Sequence, residues 1–169
     1  MWAHTNIQLG TKNNSRGFTI VELLIVIVVI GILAAITIVA YNGAQSRARF
    51  SKMQSDVKTL QRYIEAYNAA NGSYPSTGGN WKYQRQDGNA FIPGLTPTIT
   101  SSLPSITDGP TGGITNNTYV YNSNGINYKL IRLYQTSIPA DEWAQVPTAM
   151  KDGSWLDRWG VWTPGGAGF

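Results

Sequence analysis

The chain has 169 residues, a formal net charge of +4 and no cysteine, so its length fits one modest domain with an appended segment. The lack of cysteine excludes disulfides and thiolate metal sites. Only 13% of the residues are charged, while 18 are glycine and 8 are proline, which is typical of a loop-rich, outward-facing protein and unlike a cytosolic enzyme.

Residues 1–17 are polar and show no apolar periodicity. They contain the only histidine, His4, and two of the thirteen basic side chains, Lys12 and Arg16. Such a segment is typical of a processed leader. Without it, eleven basic side chains remain against nine acidic ones, so a pI near 9.4 is poor evidence for nucleic-acid binding.

An apolar segment, residues 18–41, follows directly and is interrupted only by Glu22 and two threonines. A helix rises ~1.5 Å per residue, which makes this segment roughly 35 Å long, and a bilayer core is about 30 Å thick. We therefore predict a membrane-spanning helix.

The helical pattern continues over residues 42–72 but becomes amphipathic. Charged side chains occupy one face, and apolar side chains recur every three or four residues on the other. The apolar positions are Phe50, Met53, Val57, Leu60, Ile64 and Tyr67. Asn71 and Gly72 predict a left-handed helix end, and Pro75 blocks continuation. We expect one helix of about 50 residues, packed by its outer half on a sheet.

Residues 73–169 predict a loop-rich antiparallel β domain. Residues 73–117 are rich in Gly, Pro, Ser, Thr and Asn and favour an irregular connection with one short strand at 90–92. Strands at 118–121 and 126–134, joined by a turn at 122–125, form the predicted hairpin. A third strand is expected within 155–162. The fold class is α+β, with a long N-terminal helix on a small antiparallel sheet.

The residues Arg16, Gly17 and Phe18, with Glu22 four residues later and the apolar run behind it, resemble the signal sequence of type IV prepilins. This resemblance implies that a prepilin peptidase recognises Arg16 and Gly17 and cuts between Gly17 and Phe18. It also implies that Phe18 becomes N-methylated and that Glu22 acts in assembly. The expected domains are a cleaved leader (1–17), a transmembrane assembly half (18–41), an amphipathic half (42–72) and the β domain (73–169).

Glu22 has two interpretations. A carboxylate at a bilayer centre costs ~2.5–3.5 kcal/mol, so it needs a partner or an interfacial position. Cleavage after Gly17 would create an α-amine with an ordinary pKa of about 7.7–8.0, and this cation could pair with Glu22 and set the register of an incoming subunit. The alternative is an interfacial carboxylate at a helix start, favoured by the helix dipole.

The charges beside the apolar segment do not decide its topology. Lys12 and Arg16 precede it, whereas Arg47, Arg49 and Lys52 follow it closely. The resemblance implies a cytoplasmic N-terminus in the inner (cytoplasmic) membrane, followed by entry into an extracellular or periplasm-spanning filament. The implied partners are copies of the chain and other pilins, the prepilin peptidase, a platform protein and an assembly ATPase.

Two further features of the sequence are candidates for a calcium site and for an aromatic stacking surface. Residues 156–165 are similar to a stretch near the calcium loop of major pseudopilins, but Asp152 and Asp157 supply two carboxylates where calcium prefers six to eight oxygens, so we expect no metal. The aromatic rings of Trp143, Trp155, Trp159 and Trp162 could stack on sugars or DNA bases, although core and subunit contacts are the commoner role of tryptophan. No catalytic triad or phosphate loop is present in the sequence. We expect neither an enzyme nor a cofactor.

Three functions follow from these features. The leading one is a structural subunit of a type IV pilus filament. The alternative is a pseudopilin or minor pilin of a type II secretion or DNA-uptake system, and a third is a signal-anchored binding domain.

Many pilins have a proline where Val39 stands here, so we expect a helix with fewer kinks.

Overall fold

The structure, a computed structural model, describes residues 17–106, 117–153 and 155–169, and only the backbone of residues 39 and 42. The leader prediction, including the role of Arg16, therefore lies largely outside the described residues. The chain divides into two compact units, residues 1–43 and 44–169.

The first unit contains the beginning of a long helix, α1 (Ile20–Asn71), whose backbone is continuous through Gly31 and Val39. The described large apolar side chains between Phe18 and Tyr41 are exposed; Phe18 is 86% exposed and Leu24 is 55% exposed. An 18-residue window of α1 has a mean hydropathy of 3.3, so by length and composition the helix could cross a membrane. A helix segment that is apolar on every side requires a lipid or protein environment.

The second unit contains the outer part of α1 and its own hydrophobic core. Phe50, Val57, Leu60 and Ile64 are fully buried on one face of the helix, as their spacing predicts. The ring of Phe50 lies 5.6 Å from that of Trp159 on the sheet. The helix ends at Asn71, and Gly72 follows with a φ of +72°, which confirms the predicted left-handed end.

The second unit also contains a four-stranded antiparallel sheet in the order β1-β2-β3-β4. The strands are β1 (Lys82–Tyr83), β2 (Thr118–Ser123), β3 (Tyr128–Leu133) and β4 (Arg158–Trp162). Short helices α2 (Gln84–Asp87) and α3 (Ala140–Trp143) and 3-10 turns at Gly88–Phe91, Thr148–Met150 and Pro164–Gly166 connect them. The α+β prediction is confirmed.

Side chains alternate between the two faces of the sheet. Tyr119, Tyr121, Leu130 and Trp159 belong to the core that includes α1. The opposite, outer face is defined by the row that pairs Tyr83 with Val120, Val120 with Ile131, and Ile131 with Gly160. Gly160 is required there, because an added Cβ would lie 2.0 Å from the backbone oxygen of Leu130.

Two local predictions are wrong. The strand at 90–92 is absent: Phe91 ends the 3-10 turn, and Phe91 and Ile92 are apolar because they are buried in the core. The predicted hairpin turn at 122–125 starts two residues early, because β2 continues to Ser123. The turn instead centres on Asn124, whose side-chain oxygen accepts hydrogen bonds from the amides of Ile126 (3.0 Å) and Asn127 (2.8 Å).

Candidate functional site

The Gly17–Phe18 junction lies immediately before α1. Residues 17–19 have no regular secondary structure, and the helix begins at Ile20. Gly17 has open space where a side chain would be, and Phe18 is 86% exposed. Exposed, irregular backbone is the form in which proteases cleave a chain most readily. Arg16, which is predicted to be recognised together with Gly17, lies outside the described residues.

Thr19 and Glu22 form a reciprocal cap at the start of α1. The Thr19 amide and the Thr19 hydroxyl each donate a hydrogen bond to Glu22 Oε2, both at 2.8 Å. The Glu22 amide in turn donates to Thr19 Oγ1 at 3.2 Å. This arrangement is a capping box, and it satisfies backbone donors that the first turn of a helix leaves without partners.

The capping box changes the interpretation of Glu22. Its carboxylate already accepts two hydrogen bonds from Thr19, which compensate part of its charge. It also lies in the first turn of α1, where the helix dipole favours an anion. An amine created by cleavage would find Glu22 Oε1 open, since both hydrogen bonds from Thr19 go to Oε2. The Thr-x-x-Glu pattern at Thr19 and Glu22 is a known signature of a helix start, so the sequence contained a signal for this cap that the prediction for Glu22 missed.

The two aspartates considered for calcium are each engaged by a basic side chain. The buried Lys129 ammonium donates to Asp152 Oδ1 at 2.9 Å and to the backbone oxygens of Ala167 and Phe169, both at 3.1 Å. Arg158 donates two hydrogen bonds to Asp157, at 2.8 and 3.0 Å. Within the described ranges, no group of three or more His, Asp and Glu side chains could hold a metal ion. A lysine thus supplies the positive charge at this place.

The tryptophans differ in what they contact. Trp159 is fully buried in the core, and Trp143 packs against that core with the Lys151 ammonium 4.6 Å from its ring centre. Trp162 is partly buried beneath Lys129, at 5.3 Å. Trp155 is 59% exposed, with the Arg158 guanidinium 4.5 Å from its ring centre. Of these four rings, Trp155 is the one that is open enough to act as a stacking surface.

The chain matches known proteins over stretches of different length. The family model of the prokaryotic N-terminal methylation motif matches residues 12–38. A fimbrial protein of Moraxella nonliquefaciens is 37% identical over 121 residues, which cover 70% of this chain and 74% of that protein. That match extends well beyond the N-terminal motif.

Type II secretion system core proteins G match a shorter region. The protein of Klebsiella michiganensis is 35% identical over 66 residues, covering 39% of this chain and 46% of the relative. The protein of Escherichia coli K12 is 35% identical over 69 residues, covering 41% and 48%. The chain thus spans less than half the length of these secretion-system relatives. No solved structure matches it.

Proposed function

This chain belongs to the family of type IV pilins and pseudopilins, and from that premise we propose that it is a structural, non-enzymatic subunit of a pilus filament. The observation that carries the proposal is the match to the methylation motif at residues 12–38, which contains the Gly17–Phe18 junction and much of the exposed apolar helix. The 74% coverage of a fimbrial protein supports the filament over other uses of the motif.

Maturation is the first proposed step. A prepilin peptidase recognises Arg16 and Gly17, removes the leader 1–17 and methylates the new N-terminus at Phe18. The exposed, non-helical junction supports access by the enzyme. The cut replaces an uncharged amide nitrogen with an amine that is largely protonated near neutral pH. Residues 18–41 then hold the subunit in the membrane, with its N-terminus on the cytoplasmic side.

Assembly follows from the surface of that helix half. Between Phe18 and Tyr41 the described large apolar side chains are exposed, so a subunit that leaves the lipid must cover them with neighbouring subunits. Burial of apolar surface is worth roughly 25 cal/mol per Å², and residues 18–41 offer it on every side. Copies of this chain and other pilins supply the neighbours, and the platform protein and assembly ATPase move the subunit.

Glu22 guides docking in this proposal. Its Oε2 keeps the two hydrogen bonds from Thr19, and its Oε1 accepts one from the Phe18 amine of an adjacent subunit. A hydrogen bond to a charged donor is stronger than one to a neutral donor, particularly in an environment of low dielectric constant. This contact therefore favours subunits that are in axial register.

Comparing two variants tests this role. We expect Glu22→Ala to be cleaved and methylated normally but to enter filaments poorly, because it lacks the carboxylate. The control is Thr19→Val, which loses the hydroxyl of the capping box and keeps Glu22. Quantitative immunoblots of sheared and cell-bound fractions report both processing and assembly. Normal fibre yield from Glu22→Ala, or an equal defect in Thr19→Val, would refute the docking role.

A pseudopilin or minor pilin is the second candidate, favoured by the matches to type II secretion system core protein G. Such a subunit would mature in the same way but serve a secretion or DNA-uptake machine without forming long surface fibres. Abundance separates the two candidates: sheared fibres that contain this chain as their main protein support the pilin, and its presence only in trace amounts supports the pseudopilin.

A further inference from the structure

A cleft of about 280 Å³ lies on the outer face of the sheet, the face opposite α1. Its floor includes the apolar side chains of Val120, Ile131 and Leu133. Aromatic and charged side chains complete the lining: Trp81, Tyr83, Trp155, Phe169, Lys129, Asp152 and Arg158. The volume lies just under the usual range of about 300–1,000 Å³ for ligand sites, so the cleft suits a small ligand.

One aromatic wall of the cleft, the Trp155 ring, is held in place by a neighbouring ion pair. Asp157 fixes the Arg158 guanidinium through two hydrogen bonds, and Arg158 in turn covers the Trp155 ring at 4.5 Å. More than half of the Trp155 surface nevertheless stays exposed. A pre-oriented, open aromatic ring loses little conformational entropy when a ligand stacks on it.

Polar groups at the cleft still have bonding capacity. Among the described residues, the indole N–H groups of Trp81 and Trp155 donate no hydrogen bond, and only Oδ1 of Asp152 accepts one. Asp152 Oδ2 is therefore a free acceptor beside two free donors and two aromatic rings. Apolar faces with a few directional polar groups at the rim match a molecule that has apolar C–H faces and peripheral hydroxyls.

We propose that this cleft binds a neutral mono- or disaccharide, with a sugar ring stacked on Trp155 and hydroxyls bonded to Asp152 Oδ2 and the two indole N–H groups. The site would give the filament, or the free subunit, a lectin-like surface. It goes beyond the structural function proposed above and does not depend on assembly.

The charges at the cleft favour a neutral ligand over a phosphate backbone. Lys129 is paired with Asp152 at 2.9 Å and satisfied by two further oxygens, and Arg158 is paired with Asp157. Each cation is thus neutralised by its own carboxylate, and the free oxygen of Asp152 would repel an anion. A groove that binds single-stranded nucleic acid needs an excess of positive charge along the backbone path.

Binding can be measured on the full chain in micelles of a zwitterionic detergent that carries no sugar. The probes are methyl β-glucoside, lactose and N,N′-diacetylchitobiose, followed by saturation-transfer NMR and tryptophan fluorescence. We expect at least one probe to bind with a Kd in the ~1 mM range, and Trp155→Ala and Trp81→Ala each to weaken it about tenfold. Because Trp155 is mostly exposed, its variant keeps the fold, which near-UV circular dichroism checks.

The matched control is Leu156→Ala, since Leu156 is the exposed neighbour of Trp155 and does not line the cleft. Its affinity for the probe should equal that of the unchanged chain. The proposal is overturned if none of the three sugars binds saturably, or if the Trp155 and Leu156 variants bind equally. It is also overturned if oligothymidylate binds in a Trp155-dependent way and the sugars do not.

Discussion

At the scale of single residues, Lys129 supplies Asp152 with the positive charge that a bound cation would otherwise supply. Its ammonium joins three segments: β3, the stretch before β4 that contains Asp152, and the residues around Ala167 and Phe169. The Lys129 side chain is 4% exposed, so its charge depends on these oxygens for compensation. The sequence does not mark Lys129 as a buried lysine. Its position becomes clear only when the strand pairing places it on the outer face of the sheet.

Lys129→Met should lower the free energy of unfolding by about 3 kcal/mol, because it leaves Asp152 and two backbone oxygens without their donor. Urea unfolding followed by tryptophan fluorescence measures the change. The double variant Lys129→Met with Asp152→Leu should recover most of the loss, since removing both charges leaves no unpaired one. A single variant within about 0.5 kcal/mol of the unchanged chain would contradict this account.

At the scale of elements, the sheet meets α1 through tyrosine hydroxyls that bond to helix carboxylates. Tyr119 donates to Asp56 at 2.9 Å, and Tyr128 donates to Glu65 at 3.0 Å. Burial first, and then these carboxylates, raise the pKa of both tyrosines. The hydroxyls thus connect sheet and helix only while they are protonated.

Tyr134, on the loop after β3, is a further tyrosine whose hydroxyl donates to a carboxylate, that of Glu142 at 3.3 Å, and its titration falls in a measurable pH range. Burial is the main cause that raises the pKa of Tyr134 to about 12, and the Glu142 carboxylate adds to it, while Trp159 and Arg132 oppose it. An unfolded tyrosine titrates near pH 10, so the unfolded chain releases its proton first. The stabilisation is complete below about pH 10 and is lost as the pH rises towards 12.

We expect the free energy of unfolding to fall above pH 10, with Tyr134 contributing about 1.4 kcal/mol per pH unit up to pH 12. Tyr134→Phe removes that proton and should make the fall less steep by this amount. Urea unfolding at stepped pH measures both slopes. Identical slopes would show that Tyr134 titrates alike in the folded and unfolded chains.

The elements also show what the sequence can and cannot predict. The spacing of Phe50, Val57, Leu60 and Ile64 predicts the buried face of α1 because helical periodicity is local. Phe91 and Ile92 mislead because a buried position favours an apolar residue whatever its secondary structure. The two-residue strand β1 could not be predicted, since it exists only through its pairing with β2.

At the scale of the whole molecule, the two units differ in what each needs from its surroundings. Residues 44–169 bury a core of their own, whereas the described large apolar side chains of the first unit are exposed. The first unit therefore requires lipid or other protein around it, which would be the physical basis of the proposed filament.

The processing site and the cleft differ in how well the sequence predicts them. Gly17, Phe18 and Glu22 are close in the chain, so the processing motif can be read directly. The cleft combines Trp81, Asp152 and Trp155, which are brought together by the order of the strands. Of its aromatic residues, only Trp155 could be considered in advance, and only as one of several tryptophans.

The central claim is that a prepilin peptidase cuts the chain after Gly17 and methylates the new N-terminus at Phe18. Intact-mass spectrometry of the chain, purified from cells with and without an active prepilin peptidase, tests this most directly. With the peptidase, the account predicts a chain that begins at Phe18 and carries one additional methyl group, and without it a chain that still begins at Met1. A chain that retains Met1, or begins at a residue other than Phe18, in cells with the active peptidase would contradict it.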